Sequence, residues 1–506
     1  MSRKGKAGAW RSITASVIAL AGLLCTPQLR SEVSPITSSR LDPANWSHVA
    51  TVDEQYLAFN IEMAEVTGGE FWAPYGDPLR RRLAPRAPLD LSDQRLSRLV
   101  EALSPAVVRV SGTWANSTYV PELSERAPAT PPAGFRQVLT QSRWKALTSL
   151  VNASGNSLLL SFPASAGARD AQGKWSDLQA RRLVALTRSN RSRIRAVEFI
   201  NEPNLVSLGA LPPNYSASEY ARDFRTFRDF VRRELPGTLL LGHSTSGQGG
   251  ELPAEDIARS TAGLSDAVSY HFYGALSERC REYGNQTSSG EALSDAWLAR
   301  TAQDLDWYTA LRDRFDAGKP IWLTETAQAA CGGDRWASGF RDSFRFVDQL
   351  GRLAQSGVQI VAHNTLASGD YALIDRESVE PRPNYWLAWL WKRTMDRRVL
   401  RPVSKIEGVN LYAQCALGGK GSVSAVLIEL SGTARRIEFA RGASVWTVTA
   451  DQLDSQTVRI NGVSPHLATL DKPLSGLAKQ VHGNFVLPPH AIAFVQFPRA
   501  GNPACS

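Results

Sequence analysis

The chain has 506 residues, 43% hydrophobic and 21% charged, with 57 Lys and Arg against 48 Asp and Glu for a formal net charge of +9. That apolar content over that length excludes a disordered chain, a collagen-like repeat and a disulfide-stapled miniprotein, and it suffices for a barrel with an accessory domain. A surplus of +9 spread over the whole chain does not by itself select an acidic partner.

The first feature in chain order is a basic segment with Arg3, Lys4, Lys6 and Arg11, followed by an uncharged, mostly apolar run from Ile13 to Leu24. About a dozen apolar residues are too few to span a bilayer. The pattern therefore predicts a secretory signal peptide over 1–31, cleaved between Cys25 and about Glu32, and an exported protein with no stable membrane insertion. Loss of residues 1–25 removes four basic residues and one cysteine, leaving +5 and four cysteines.

Those four are Cys280, Cys331, Cys415 and Cys505. In an oxidising compartment they read as two disulfides. Pairing within each half of the chain, Cys280 with Cys331 and Cys415 with Cys505, is preferred among the three connectivities, and four free thiols are the alternative. The wide spacings match no zinc-binding pattern, and neither a metal nor a cofactor is expected.

From about 56 to 395 short apolar runs alternate with stretches of helical period, the rhythm of repeated βα units. The predicted strands are Tyr56–Ile61, Ala106–Val110, Ser157–Phe162, Ala196–Ile200, Thr238–Gly242, Ala267–Phe272, Pro320–Thr324 and Val358–His363. The clearest helix runs from about Ser218 to Leu235, with Tyr220, Phe224, Phe227 and Val231 on one face and Pro236-Gly237 at its end. Other helices are predicted to begin near Leu91, Arg136, Trp175, Pro253, Ser294, Ser338 and Asn384. Eight strands in alternation with eight helices predict a (β/α)8 barrel, whose chemistry sits at the C-terminal ends of the strands.

From about 396 to 500 the pattern changes to short strand-like runs broken by Gly, Pro and Asn: Gly408–Cys415, Ser422–Leu430, Arg436–Phe439, Ser444–Thr449, Thr457–Ile460, Asn484–Leu487 and Ala491–Phe497. These predict an antiparallel β-sandwich, joined by a strand from about 44–55. The Gly247–Gly250 stretch lacks the spacing of a phosphate cradle, and nothing points to nucleic acid. A monomer is expected.

Phe199-Ile200-Asn201-Glu202-Pro203-Asn204 ends the fourth strand and Ile321-Trp322-Leu323-Thr324-Glu325-Thr326 ends the seventh. Each puts one carboxylate at the rim of the barrel, directly after an apolar run. Two facing carboxylates are the machinery of glycoside hydrolysis: about 5 Å apart they serve retention, and a wider gap admits water and gives inversion. An ionised Glu325 is expected to keep Glu202 protonated until it donates its proton. Among the tryptophans, Trp386, Trp389 and Trp391 read as packing residues of the last helix, and Trp114 as a platform for a sugar ring. Six Asn-x-Ser/Thr sequons, at Asn45, Asn116, Asn152, Asn190, Asn214 and Asn285, occur at chance level.

The Asn-Glu-Pro-Asn of strand four and the Trp-Leu-Thr-Glu-Thr of strand seven are joined by a third block, Ser368-Gly369-Asp370-Tyr371-Ala372-Leu373-Ile374-Asp375, with Pro383-Asn384-Tyr385-Trp386-Leu387 after it. Together these resemble glycoside hydrolase family 79, which contains heparanase and β-glucuronidases of a retaining clan. The resemblance implies Glu202 as acid/base, Glu325 as nucleophile and Asn201 as the amide bonded to the sugar 2-hydroxyl. Glu62 stands where the family has a sugar-contacting aspartate, and Thr113 resembles a substrate-contacting threonine. Gln248, His271 and Tyr273 would line the same subsite. Uronate recognition in the family uses N–H groups of a glycine-rich loop and a tyrosine, here Gly332 and Gly333 in Ala330-Cys331-Gly332-Gly333, with Gly369 and Tyr371. Cys331 replaces a family glycine and could tie this loop to Cys280.

The implied partner is an acidic polysaccharide or a glucuronide, cleaved either inside a heparan-sulfate-like chain or from its end. Human-type heparanases carry a long excised segment near 121–134. Here it is brief, which implies a single-chain enzyme active without proteolysis and slightly favours endo action. The rival of another class is a non-catalytic protein that grips acidic glycans by basic charge.

Overall fold

Alternation of inward and outward side chains, together with β-branched content, decides which segments close the barrel. The structure, a computed structural model, describes residues 39–77, 79 and 81–506, so the predicted signal peptide and its cleavage region lie outside the described residues. The barrel strands are β1 (Leu57–Glu62), β2 (Val107–Ser111), β3 (Ser157–Leu160), β4 (Ile194–Glu198), β5 (Leu239–Ser246), β6 (Ala267–Tyr273), β7 (Ile321–Ala327) and β8 (Ile360–His363). They pair in parallel and in chain order, and β8 closes on β1. Each lies on one of the eight apolar runs read from the sequence.

The barrel interior is layered. Ala58, Val107, Leu159, Ala196, Leu241, Ala267, Trp322 and Ile360 form an apolar plug of one residue per strand. Two residues further along β1, β2 and β4 stand Asn60, Arg109 and Glu198, all buried. A period of two sends them to the same interior. The plug thus forms the floor beneath a polar layer at the C-terminal ends of the strands.

The outer ring consists of α1 (Gln94–Ala102), α2 (Gln141–Ala153), α3 (Leu178–Ser189), α4 (Ala217–Glu234), α5 (Ala254–Ser260), α6 (Asp295–Phe315), α7 (Phe340–Gln355) and α8 (Pro383–Thr394). Several start on side-chain caps. Asp93 accepts from the Leu96 N–H, and Ser216 and Glu219 form a capping box at α4. Trp386, Trp389 and Trp391 are buried in α8, as packing residues should be. Between β1 and α1 the structure adds features that the sequence did not suggest: a short helix, Met63–Thr67, and a hairpin of Gly69–Trp72 with Leu83–Arg86.

The C-terminal sheet contains β9 (Met395–Arg401), β10 (Val409–Ala416), β11 (Val423–Glu429), β12 (Arg435–Thr449), β13 (Lys479–Leu487) and β14 (Ile492–Phe497). Strand Ser47–Thr51 joins beyond β9, as the region 44–55 was expected to do. The pairings are antiparallel except that Ser39–Leu41 runs parallel to β12. The two predicted strands Arg436–Phe439 and Ser444–Thr449 are one strand, β12, which shifts register between Phe439 and Ala443 and passes from β13 to β14 as partner. Along β11, Val423, Ala425 and Leu427 pack inside the sheet domain while Val426 and Ile428 pack against the barrel. Burial on both faces explains its unbroken apolar run. Asp348 of α7 completes the junction by accepting from Tyr412 Oη and Asn410 Nδ2, both at 2.6 Å.

Both preferred disulfides are present. Cys280–Cys331 has a Cα separation of 6.3 Å, and Cys415–Cys505, with 5.4 Å, ties β10 to the C-terminal turn.

Candidate active site

Glu202 follows β4 in a turn where it takes φ of 48°. The turn is fixed by Asn116, whose side chain donates to Asn201 O (2.9 Å) and accepts from Asn201 N (3.0 Å). The Glu202 N–H donates to Ser244 O at 3.0 Å. Asn116 is fully buried in this role, so its sequon is not a surface acceptor. Glu325 lies on β7 itself. The register between β7 and β8 shifts between Leu323 and Thr326, and there two successive side chains turn into the barrel. Thr324 Oγ1 donates to Glu198 Oε1 at 2.7 Å, and Glu325 accepts from Arg109.

Arg109, 1% exposed, joins four groups. It donates to Glu198 Oε2, Glu325 Oε2 and Asn201 Oδ1, each at 2.9 Å, and reaches His271 Nε2 at 3.1 Å. Guanidinium has donors only, so Nε2 must accept and the imidazole carries its proton on Nδ1. Nδ1 is 3.1 Å from Glu202 Oε1 and 3.7 Å from Glu325 Oε2. Burial by itself would lower the charge on Arg109, but Glu198 and Glu325 outweigh it and hold the guanidinium cationic. The same pairing offsets the effect of burial on Glu198 and keeps it below the ordinary carboxylate value. One ligand atom from each of Glu202, His271 and Glu325 lies within 4.8 Å of the others. Such a trio is also a donor set for a metal ion, but here Arg109 donates to two of the three, so a cation would meet a fixed positive charge.

The Glu202 carboxyl requires a correction. The expectation that Glu325 keeps it protonated does not hold in this geometry, because His271 touches it. Burial raises its pKa, yet His271 first, and after it Ser246 and the charge of Arg109, outweigh that and hold it below the ordinary value.

Around Glu325, Tyr273 Oη donates to Oε1 at 2.5 Å and accepts from Asn364 Nδ2 at 2.9 Å. Burial and the Glu325 charge push the Tyr273 hydroxyl well up, so it remains a donor. Asn364 also reaches Glu62 Oε1 (3.3 Å) and Tyr371 Oη (3.2 Å). Glu62 is raised well above its ordinary value, first by burial and then by Glu325, and its Oε2 has no partner among the described residues. It fits only because position 112 is glycine with φ of 88°: a Cβ there would lie 1.5 Å from Glu62 Oε2.

Glu62, Asn201, Glu202, His271, Tyr273, Glu325 and Tyr371 therefore form one connected cluster. Gly333 and Gly369 sit against it, since a Cβ on either would meet the Tyr371 ring at 3.0 and 2.8 Å, while a Cβ on Gly332 would meet Trp72 at 2.8 Å. Thr113 is half-buried, with no side-chain hydrogen bond among the described residues. Trp114 packs on Phe71 and Trp72, at ring distances of 4.9 and 6.2 Å. Gln248 is exposed, and among the described residues only its carbonyl is engaged, by Ala254 N. The structure does not bring its side chain to the cluster. Arg109 and Asn364 were missed. Arg109 had a signal, a lone charge inside the apolar run Val107-Val108-Arg109-Val110, which must be paired if buried.

Residues 82–351 match the family described as Glycosyl hydrolase family 79, N-terminal domain. Heparanase-like protein 1 of Arabidopsis thaliana is 25% identical over 368 residues, covering 68% of this chain and 65% of that protein's length. Hyaluronoglucuronidase of Hirudo nipponia is 24% identical over 467 residues, covering 82% and 92%. Among solved structures, a 4-O-α-L-rhamnosyl-β-D-glucuronidase from Fusarium oxysporum 12S superposes with a TM-score of 0.62 at 14% identity, covering 91% of this chain and 99% of that one. At that identity the likeness speaks for the fold alone.

Proposed function

From the premise that the chain belongs to glycosyl hydrolase family 79, we propose that it is a retaining β-glucuronidase acting on glucuronate-containing glycans. The observation that carries this reading is that an oxygen of Glu202, one of Glu325 and a ring nitrogen of His271 all lie within 4.8 Å of one another, which favours the short carboxyl spacing of retaining enzymes over the wider one of inverting enzymes.

In this reading Glu325 attacks the anomeric carbon while Glu202 gives a proton to the glycosidic oxygen, the aglycone departs, and a glycosyl ester remains on Glu325. Glu202 then takes a proton from water, whose oxygen displaces Glu325 and restores both carboxyls. Arg109 and Tyr273 hold one oxygen each of Glu325 and fix the direction of attack. Asn201 Oδ1 accepts from Arg109 and Ser111 Oγ. That leaves Nδ2 to donate to the sugar 2-hydroxyl. Protonated Glu62 can donate to another hydroxyl. Because His271 favours the ionised form of Glu202, the acid form must be gained in the substrate complex, where a glycosidic oxygen offers an acceptor that only the protonated carboxyl can serve.

Proton NMR of the sugar released from 4-nitrophenyl β-D-glucuronide tests the mechanism: the β-anomer should form first, and an initial α-anomer would overturn retention. Mass spectrometry after incubation with heparan sulfate and hyaluronan separates release of single glucuronates from internal cleavage. Retained activity in both Glu202→Gln and Glu325→Gln would defeat the assignment. Export is part of the same proposal, resting on the basic and apolar N-terminal segments. N-terminal sequencing of protein from the culture medium should begin between residues 26 and 33.

A further inference from the structure

Three consecutive residues after β7, Cys331, Gly332 and Gly333, have φ of 62°, 82° and 79°. Glycine takes this region without a Cβ penalty, whereas Cys331 has to be held there. Such a turn lets successive N–H groups converge on one side as an anion cradle. All three carbonyls are engaged behind it. Cys331 O accepts from Ser277 Oγ (2.9 Å) and Arg279 Nη1 (3.4 Å). Gly332 O accepts from Asp370 N (2.7 Å), and Gly333 O accepts from Arg279 Nη1 (2.8 Å) and Tyr75 Oη (3.0 Å). Among the described residues none of the three N–H groups has a protein acceptor.

Arg279 serves two of the three carbonyls and reaches two further segments. Its Nε donates to Ala73 O at 2.8 Å, next to the hairpin, and Nη2 donates to Asp370 Oδ2 at 2.6 Å, in the loop after β8. The guanidinium lies 3.8 Å from the Tyr75 ring centroid, and its side chain is 7% exposed. Cys280, its neighbour in the chain, is disulfide-bonded to Cys331. A planar fork of five N–H donors can serve three segments at once, which a lysine ammonium cannot. Pairing with Asp370 compensates the charge locally, so Arg279 acts on the shape of the loop.

We propose that Arg279 is the positioning residue for carboxylate recognition: by fastening the carbonyls of Cys331 and Gly333 on one side, it keeps the N–H groups of Gly332 and Gly333 turned to the substrate's uronate. This rests on the glucuronidase reading above.

The test compares kcat and KM of the wild type, Arg279→Lys and Asp370→Asn on 4-nitrophenyl β-D-glucuronide and 4-nitrophenyl β-D-glucoside. Arg279→Lys should raise KM for the glucuronide about tenfold, the scale of one lost charge-assisted hydrogen bond, and leave kcat within about threefold. The preference for glucuronide over glucoside should fall by the same factor. Asp370→Asn should also raise KM, because it loosens the clamp. If Arg279 were instead a direct ligand of the substrate carboxylate, freeing it from Asp370 would lower KM, and that result overturns the proposal. So does an equal loss on both substrates, the mark of general damage, or an unchanged preference. Failure of the wild type to hydrolyse the glucuronide would instead bring down the functional reading itself.

Discussion

The two sides of the cleft are built from different materials. Around Glu202 and Glu325 the groups are charged side chains on or directly after rigid strands, and one buried cation, Arg109, is shared between Glu198 and Glu325 inside the barrel. Around Cys331, Gly332 and Gly333 the groups on offer are backbone amides of an irregular loop, held from outside by a disulfide, Arg279 and Tyr75. The first arrangement suits charge that develops during reaction, because its dipoles are fixed in advance. The second suits a charge that the substrate carries unchanged from ground state to transition state. Damage to the first side should therefore fall on kcat and damage to the second on KM.

The largest expected effect breaks the two glutamates apart by leaving group. Glu325→Gln removes the nucleophile, and its loss, on the order of 10⁴-fold in kcat, should be the same for a 4-nitrophenyl glucuronide and for an oligosaccharide. Glu202→Gln should cost roughly 10²–10⁴-fold on the oligosaccharide but far less in the first step with the activated aryl leaving group, which departs without a proton. Values of kcat/KM on the two substrates, which report the first irreversible step, decide, because loss of Glu202 as base also slows the second step on both. Equal leaving-group sensitivity in both variants would contradict the assigned roles.

Next is Arg109→Met, which strands Glu198 and Glu325 in a buried site without their cation. Removal of one partner from a buried pair typically costs about 3–5 kcal/mol, and urea unfolding should show a loss of that size alongside loss of turnover. A variant of undiminished stability would mean that Arg109 does not compensate the two carboxylates as described.

The two disulfides provide an internal control for the comparison. They close segments of 51 and 90 residues, and chain entropy assigns each about 4 kcal/mol. Replacing either pair with alanine should lower stability by similar amounts. Only the Cys280 and Cys331 replacement should also raise KM for the glucuronide, since Cys415–Cys505 lies in the sheet domain. Parallel KM changes in the two variants would erase the special standing of the loop.

Legibility in the sequence follows the same division. The eight barrel strands could be read because most of their residues are buried and apolar, with only isolated polar positions such as Asn60 and Arg109, and the two glutamates because each closely follows such a run. β9, Met395–Arg401, escaped because Asp396, Arg397 and Arg398 interrupt the apolar pattern. The hairpin near Phe71 and Trp72 escaped because its ends are separated by a charged, proline-containing stretch. Arg279 and Asn364 are ordinary polar residues in loops, and their importance comes from partners 91 and 302 positions away, Asp370 and Glu62. Such pairs are set by chain closure in three dimensions, which no local pattern records. Gln248, read from its motif as lining the subsite, stands exposed on a loop with no side-chain hydrogen bond among the described residues.

The smallest expected effect is the most specific to the catalytic side. The high-pH limb of kcat/KM reports loss of the proton from the general acid of the free enzyme. His271 donates to the ionised Glu202 and so holds that carboxyl below its ordinary value. His271→Phe retains a ring in the space but removes the donor, while burial, which raises the pKa, remains. Glu202 should then keep its proton to higher pH, and the limb should move upward while the limb set by ionisation of the nucleophile moves less. Movement of the high-pH limb downward would show that His271 supports the protonated form instead, with the imidazole accepting from Glu202 at Nδ1. That would require Arg109 to have lost His271 Nε2 as an acceptor, because a neutral ring cannot accept at both nitrogens.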